Sequence, residues 1–431
     1  MKYYSLNKNS ANTTFEEATI KGQAPDKGLY FPSSIPRLDK EFIANIKSYS
    51  KEKIGFEVMK PFVGESIPDA VLQKIIAETI NFEFSLIEVH KNVYALELFH
   101  GPTLAFKDVG ARFMSRCLGY FNRNKKQKTT VLVATSGDTG GAVANGFLGV
   151  DGVDVIILYP SKKVSTVQEL QLTTLGKNIS AIEINGSFDD CQTIVKQAFT
   201  DEVLNKNFSL TSANSINVAR WLPQQLYYFY AYQQWQFDEP PVISVPSGNF
   251  GNICAGMLAY ISGLPVKHFI AACNANDVVP EFLQTGNYQA KKTIPTISNA
   301  MDVGNPSNFV RVLELFHQQV NDLKNVLTSY SVSDAATKAT ISEVYTQYNY
   351  TLDPHGAVGY YALIEHQLNY NNDAGIFLET AHPVKFPETV EQSTGNKIEI
   401  PASIQYLFKQ KKESVLMNAS FDDFKEWMMS R

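Results

Sequence analysis

Lys107 follows directly on Leu104, Ala105 and Phe106 in the stretch His100-Gly-Pro-Thr-Leu-Ala-Phe-Lys-Asp-Val-Gly-Ala-Arg-Phe113. A lysine needing only solubility is cheaper on the open face of a helix. Among apolar neighbours the amine loses hydration, which disfavours the ammonium form. An amine that gives up its proton readily is what Schiff-base chemistry needs. The ordinary alternative, a lysine that buries its stem and leaves its head in water, stays open on this segment alone.

Several turns offer groups that bind anions. In Ser247-Gly-Asn-Phe-Gly-Asn252, glycines let the chain fold tightly and turn N–H groups inward just ahead of a helical pattern. Such a turn suits a phosphate. It lacks the Gly-Lys-Ser/Thr of a Walker loop and the Gly-x-Gly-x-x-Gly of a dinucleotide site, so it is either an anion cradle or a glycine-shaped turn. Thr135-Ser-Gly-Asp-Thr-Gly-Gly141 presents hydroxyls and amides at another helix start and suits a carboxylate. An N-cap alone would explain one of its polar residues, not four. Thr380-Ala-His-Pro-Val-Lys385 places a hydroxyl at a strand end, where it can meet a heterocyclic nitrogen. His382 beside Pro383 reads as structural. Asp353-Pro-His-Gly356 reads as an N-cap with Pro at the first helical position, which makes His355 a helix-start residue rather than a base. Together, a semi-buried lysine, a phosphate cradle and a polar strand end match what a pyridoxal phosphate site requires.

The elements that must hold these groups follow from the apolar pattern. Short runs at Val93–Leu98, Thr130–Ala134, Val153–Tyr159, Ile179–Ile184, Val242–Val245, Val266–Ala272 and Ile376–Glu379 alternate with helical stretches. That alternation predicts a parallel α/β sheet. Ligands of such sheets sit at the carboxyl ends of the strands, where the polar turns fall. The spacing of Phe106, Gly110 and Phe113 predicts a helix starting near Pro102. Residues 1–90 predict a separate, mostly helical lobe, with Thr14 and Glu17 as a capping box and Gly22 as its stop. Residues 91–390 predict the catalytic region in two lobes. Residues 391–431 predict a tail with Ser420 capping a last helix.

Composition excludes other classes. The chain has 431 residues and a formal charge of -5, which gives no electrostatic footprint for nucleic acid or an anionic membrane. Four cysteines and seven histidines fall in no metal-ligand spacing. The start carries no signal-peptide pattern and no apolar run reaches membrane-spanning length, so the expected compartment is the cytoplasm.

With those segments in hand, the chain closely resembles the threonine synthases, in the longer bacterial and fungal branch of a pyridoxal-phosphate family with the tryptophan-synthase-β-like fold. The likeness rests on Ala24-Pro-Asp-Lys-Gly-Leu-Tyr30, His100–Asp108, Thr135–Gly140, Ser212-Ala-Asn-Ser-Ile-Asn217, Pro246–Gly251, Ser298-Asn-Ala-Met-Asp302 and Thr380–Pro383. Gly141 and Gly356 stand where relatives often carry Ala. The resemblance implies the fold-type-II architecture: parallel-rich open twisted sheets with flanking helices, plus the N-terminal lobe. It implies that Lys107, with Phe106 beside it, holds pyridoxal 5'-phosphate covalently and shuttles protons. Gly248, Asn249, Phe250, Gly251 and Asn252 would cradle its phosphate, Thr380 would meet its ring nitrogen, and Asp138 would lie near its 3-hydroxyl. Thr135, Ser136, Gly137 and Thr139 would bind the substrate carboxylate. Lys163, Ser165, Asn217 and Arg220 would bind a substrate phosphate. The implied reaction turns O-phospho-L-homoserine and water into L-threonine and phosphate, a carbon–oxygen lyase reaction on a phosphate. Relatives of this branch suggest a monomer. Two alternatives remain at this point: another lyase of the same fold, either β-replacing or deaminating, and a non-catalytic binding protein that kept it.

Overall fold

The computed structural model describes residues 1–370 and 373–431. The chain forms two compact units, each assembled from separated stretches. One holds Met1, residues 31–106 and residues 221–399; the other holds residues 2–30, 107–220 and 400–431.

The first unit is built on a six-stranded sheet. Its strands lie in the order Leu327–Ser331, His268–Cys273, Val242–Pro246, Gly375–Glu379, Val93–Glu97 and Leu86–His90. All neighbours are parallel except the last pair, which is antiparallel and irregular between Glu88 and His90. Val242–Pro246 and Gly375–Glu379 are buried along their whole length, as strands covered on both faces must be. The helix Pro354–Asn369 supplies Val358, Ala362 and Leu363 to the core that holds Val242, Ala272 and Phe377. As expected, Asp353 caps that helix through the N–H groups of His355 and Gly356, with Pro354 opening it.

The second unit carries a five-stranded, wholly parallel sheet. Its order is Val415–Asn418, Ile179–Asn185, Val153–Pro160, Thr129–Ala134 and Ser209–Ser212. The helix Phe15–Lys21 has the expected capping box at Thr14 and Glu17 and the expected stop at Gly22 (φ 70°). It packs on the helix Lys107–Asn122, with the Phe15 ring 6.4 Å from Phe113 and 6.2 Å from Phe121. Ser420 caps the last helix, Phe421–Met429, as read from the sequence.

The helix expected from Pro102 begins only at Lys107. Leu104 adopts a left-handed conformation (φ 57°), which no helix continues through. The main chain of 104–106 bonds instead to 380–382: Phe106 N–H donates to Thr380 O at 2.9 Å, and His382 N–H to Leu104 O at 3.0 Å. The four cysteines are free and buried, and burial raises each thiol, which makes them poor nucleophiles. Among the described residues no helix is long and apolar enough to cross a membrane.

Candidate functional site

In the first unit, Val242–Pro246, Gly375–Glu379 and Val93–Glu97 are adjacent and parallel. Their carboxyl ends release the turn 247–252, the turn 380–385 and the stretch 98–106. The polar segments singled out by sequence therefore emerge side by side at one end of one sheet.

The turn 247–252 is tightly fixed. A Cβ on Gly248 would lie 2.5 Å from Met301 Cα and 2.9 Å from its carbonyl oxygen, so only glycine fits. Asn249 Oδ1 accepts from Ser307 N–H at 2.6 Å. Phe250 takes a left-handed conformation (φ 59°, ψ 13°) and hands over to the helix Gly251–Ile261. The first turn of that helix presents N–H groups with no acceptor inside the helix, at the positive end of its dipole. Asn252 Oδ1 accepts from Tyr228 Oη at 2.9 Å, which turns Nδ2 the other way. That Nδ2 is buried and has no partner among the described residues. A buried donor without an acceptor, beside a helix N-terminus, fits a phosphate. The donor set thus suits the phosphate of pyridoxal phosphate.

Thr380 is buried, and its carbonyl holds Phe106, the residue before Lys107. Tyr227 Oη donates to Phe106 O, and the Tyr227 ring meets the Phe106 ring edge-on at 6.3 Å. Lys107 is half-buried and opens its helix.

In the second unit, Val153–Pro160, Thr129–Ala134 and Ser209–Ser212 are adjacent and parallel. Their carboxyl ends release 161–165, 135–137 and 213–217. Here, too, the predicted residues gather at one sheet end, but they do different work. The Thr135 hydroxyl accepts from the N–H groups of Gly137 (3.0 Å) and Gly140 (2.9 Å), so it shapes the turn. Gly137 is left-handed (φ 140°) and pressed against Gln168, whose Nε2 donates to Asp138 Oδ1 at 2.9 Å. Ser136 and Thr139 are half-buried at the start of the helix Asp138–Phe147, their hydroxyls without a partner among the described residues. Lys163 is exposed. Ser165 forms a capping box with Gln168. Asn217 is fully buried: its Nδ2 donates to Thr19 O and Ser212 O, and its Oδ1 accepts from Ala219 N–H at 3.0 Å. Arg220 is buried, and Nη1 donates to Ala213 O. Gly110, three residues after Lys107, lies against it; a Cβ there would meet Arg220 O at 2.7 Å.

Sequence reasoning passed over Gln168 and Tyr227. Both act on residues far away in the chain; the local pattern at Gln168 signals only the capping box with Ser165, and Tyr227 carries no local signal. His355 is satisfied as expected: Nδ1 pairs with Asp353 Oδ1 at 2.5 Å, and Nε2 accepts from Ala300 N–H at 3.2 Å. The ring proton therefore sits on Nδ1.

His382 is structural as well, and it sets an acid limit. Its Nδ1 accepts from Val384 N–H at 3.1 Å. Burial, and then the neighbouring His100, pull its imidazole down to about 4. Burial, and then its stacked neighbour His366, do the same to His268, also to about 4. In the unfolded chain both rings take a proton near pH 6.5. Below that pH the unfolded chain binds more protons than the folded one, so stability is full above it and is lost as the pH falls toward 4. The melting temperature should drop between about pH 7 and about pH 5, and His382→Asn should flatten that drop. An equal drop in the variant would show that His382 takes no part in it.

Known proteins resemble the chain along its whole length. Residues 83–378 match the model for pyridoxal-phosphate dependent enzymes. Residues 2–80 match the model for the threonine synthase N terminus, and residues 356–428 that for the threonine synthase C-terminal region. The chain is 43% identical over 434 residues to the threonine synthase of Buchnera aphidicola, covering 100% of both chains. It superposes on the crystal structure of Escherichia coli threonine synthase with a TM-score of 0.92 and 42% identity, covering 100% of each. A threonine synthase from Brucella melitensis, solved with pyridoxal phosphate bound, gives a TM-score of 0.93 at 34% identity, covering 100% of this chain and 99% of that one. The likeness carried by the Lys107 segment and the 247–252 turn therefore extends from end to end, and the chain belongs to the threonine synthase family of pyridoxal-phosphate-dependent enzymes.

Proposed function

We propose that this enzyme converts O-phospho-L-homoserine and water into L-threonine and inorganic phosphate, as a carbon–oxygen lyase acting on a phosphate. Pyridoxal phosphate, when bound, supplies the electron sink that lets phosphate leave the γ-carbon and water add at the β-carbon. The observation that carries the reading is the unpartnered, buried Asn252 Nδ2 at the start of the helix Gly251–Ile261.

The residues divide the work as follows. Lys107 Nζ would hold the cofactor and move protons on the substrate. Gly248 to Asn252 hold the cofactor phosphate through main-chain N–H groups and Asn252 Nδ2. Thr380 offers a hydroxyl rather than a carboxylate to the ring nitrogen. A hydroxyl there would leave that nitrogen largely unprotonated and so would favour elimination. Asp138, held by Gln168 Nε2, would lie near the 3-hydroxyl. Ser136, Gly137 and Thr139 bind the substrate carboxylate. Arg220 binds the substrate phosphate, with Lys163 as a second positive charge. Thr135, Ser165 and Asn217 keep these turns in shape, because their hydrogen bonds already serve the main chain. The cytoplasm is the compartment this chemistry suits.

The deciding assay is product analysis with O-phosphohomoserine. Threonine as the main product supports the reading; 2-oxobutyrate and ammonia as main products would replace it with a deaminase. Arg220→Ala should raise KM by about 10-fold to 100-fold, the scale of a lost charge-assisted pair. It should also lower the melting temperature, since Arg220 is buried against Ala213. A normal KM would show that another group grips the substrate phosphate.

A further inference from the structure

Glu379 ends a fully buried strand and is itself 0% exposed. Both of its carboxyl oxygens are buried without a well-formed hydrogen bond. A Cβ on Gly356 would lie 2.2 Å from Oε1 and 2.4 Å from Oε2, so the carboxyl lies flat against the first turn of the helix Pro354–Asn369. That turn offers it nothing. Pro354 has no N–H, and the N–H groups of His355 and Gly356 are taken by Asp353.

The surroundings are acidic. Glu97 is the register partner of Glu379 on the neighbouring parallel strand, which puts both side chains on one face. Glu97 is already matched, by Tyr350 Oη at 2.9 Å and His100 Nε2 at 2.7 Å. Beyond Thr380, the fully buried Lys385 is turned to Thr103 O at 2.8 Å, and His382 caps its own turn. A third negative charge here would have no water and no donor, which is prohibitive unless the group keeps its proton. Burial, and then the charge of Asp353, hold the Glu379 carboxyl well above the ordinary carboxyl range. Burial alone would raise Asp353 too, but its pairing with His355 more than offsets this and leaves it below the ordinary value. Asp353 is thus the anion, and it is the acceptor open to the Glu379 proton.

Two connections reach toward the residues assigned to the cofactor. Glu379 is bonded directly to Thr380. Asp353 holds His355, whose Nε2 takes the N–H of Ala300, next to the Met301 that presses on Gly248. We propose that Glu379 is a positioning residue for the reaction: its carboxylic acid, set between Gly356 and Asp353, locks the start of the helix Pro354–Asn369 to the strand end that carries Thr380. This inference rests on the role given to Thr380 above. It also explains Gly356, since alanine would collide with the acid.

The test uses holoenzyme. At neutral pH the unmodified protein should show the infrared band of a protonated carboxyl, and Glu379→Gln should lack it. On the alkaline side, ionisation of Glu379 breaks the lock, so kcat falls while KM holds. Glu379→Gln cannot ionise, and its alkaline limb should move up by at least about one pH unit. Tyr350, whose hydroxyl burial raises, is present in both proteins, so the difference belongs to residue 379. Gly356→Ala should displace the acid and cut kcat about 100-fold with cofactor still bound, the scale of a small misplacement at a reacting centre. An unchanged infrared band, an unchanged alkaline limb, or a Gly356→Ala enzyme with normal kcat would each overturn the inference. The functional reading fails separately, if the unmodified protein makes no threonine.

Discussion

Lys107→Ala is expected to abolish threonine formation, with a loss of roughly ten-thousand-fold or more, because one side chain supplies both the covalent hold and the proton transfers. The visible absorbance of bound cofactor should disappear with it. Folding should survive: the residue opens a helix, is only half-buried, and alanine is the best helix former. A matching circular dichroism spectrum and melting curve would separate lost chemistry from lost structure. Threonine formation at the unmodified rate would remove Lys107 from the mechanism.

Gly248→Ala carries the second largest expected effect. Its methyl would meet the Cα and carbonyl oxygen of Met301, which are backbone and cannot swing aside. Either the turn 247–252 or the loop around Met301 must shift, at a cost of about 1–3 kcal/mol for overpacking. The shift moves the phosphate-binding N–H groups, so cofactor affinity should fall by about 100-fold. Absorbance titration of the apoenzyme with pyridoxal phosphate measures this directly. Unaltered affinity and stability would show that the turn does not grip the cofactor phosphate.

What sequence made legible was local. Thr14 and Glu17 announce their capping box because both partners lie within one turn. Val242–Val245 reads as a strand because it is a short apolar run rich in β-branched residues, and the glycines after it mark the tight turn; the strand Val242–Pro246 is buried throughout. The strand Val415–Asn418 escaped notice. It has four residues, mostly exposed, and owes its place to main-chain pairing with Ile182–Asn185. Leu86–His90 was hidden for a similar reason: it is a half-exposed edge strand with no apolar alternation. The helix start was misread at Pro102 because Leu104 turns left-handed and its neighbours bond to residues about 280 positions away.

The candidate site divides along the same line. Lys107 and the glycines of 248–252 were visible as residue types in unusual company. Asn217 has the right chemistry for phosphate, yet its amide is consumed by Thr19, Ser212 and Ala219. Glu379 left only a faint trace, a carboxyl at the end of the apolar run Ile376-Phe-Leu. Its burial and its contact with Gly356 appear only in three dimensions.

The most direct measurement is borohydride reduction of the purified enzyme followed by peptide mapping of the trapped cofactor. The label should fall on the lysine of the peptide Leu-Ala-Phe-Lys107, in close to one equivalent per chain, and the visible absorbance should vanish on reduction. A label on any other lysine, or none at all, would contradict the account.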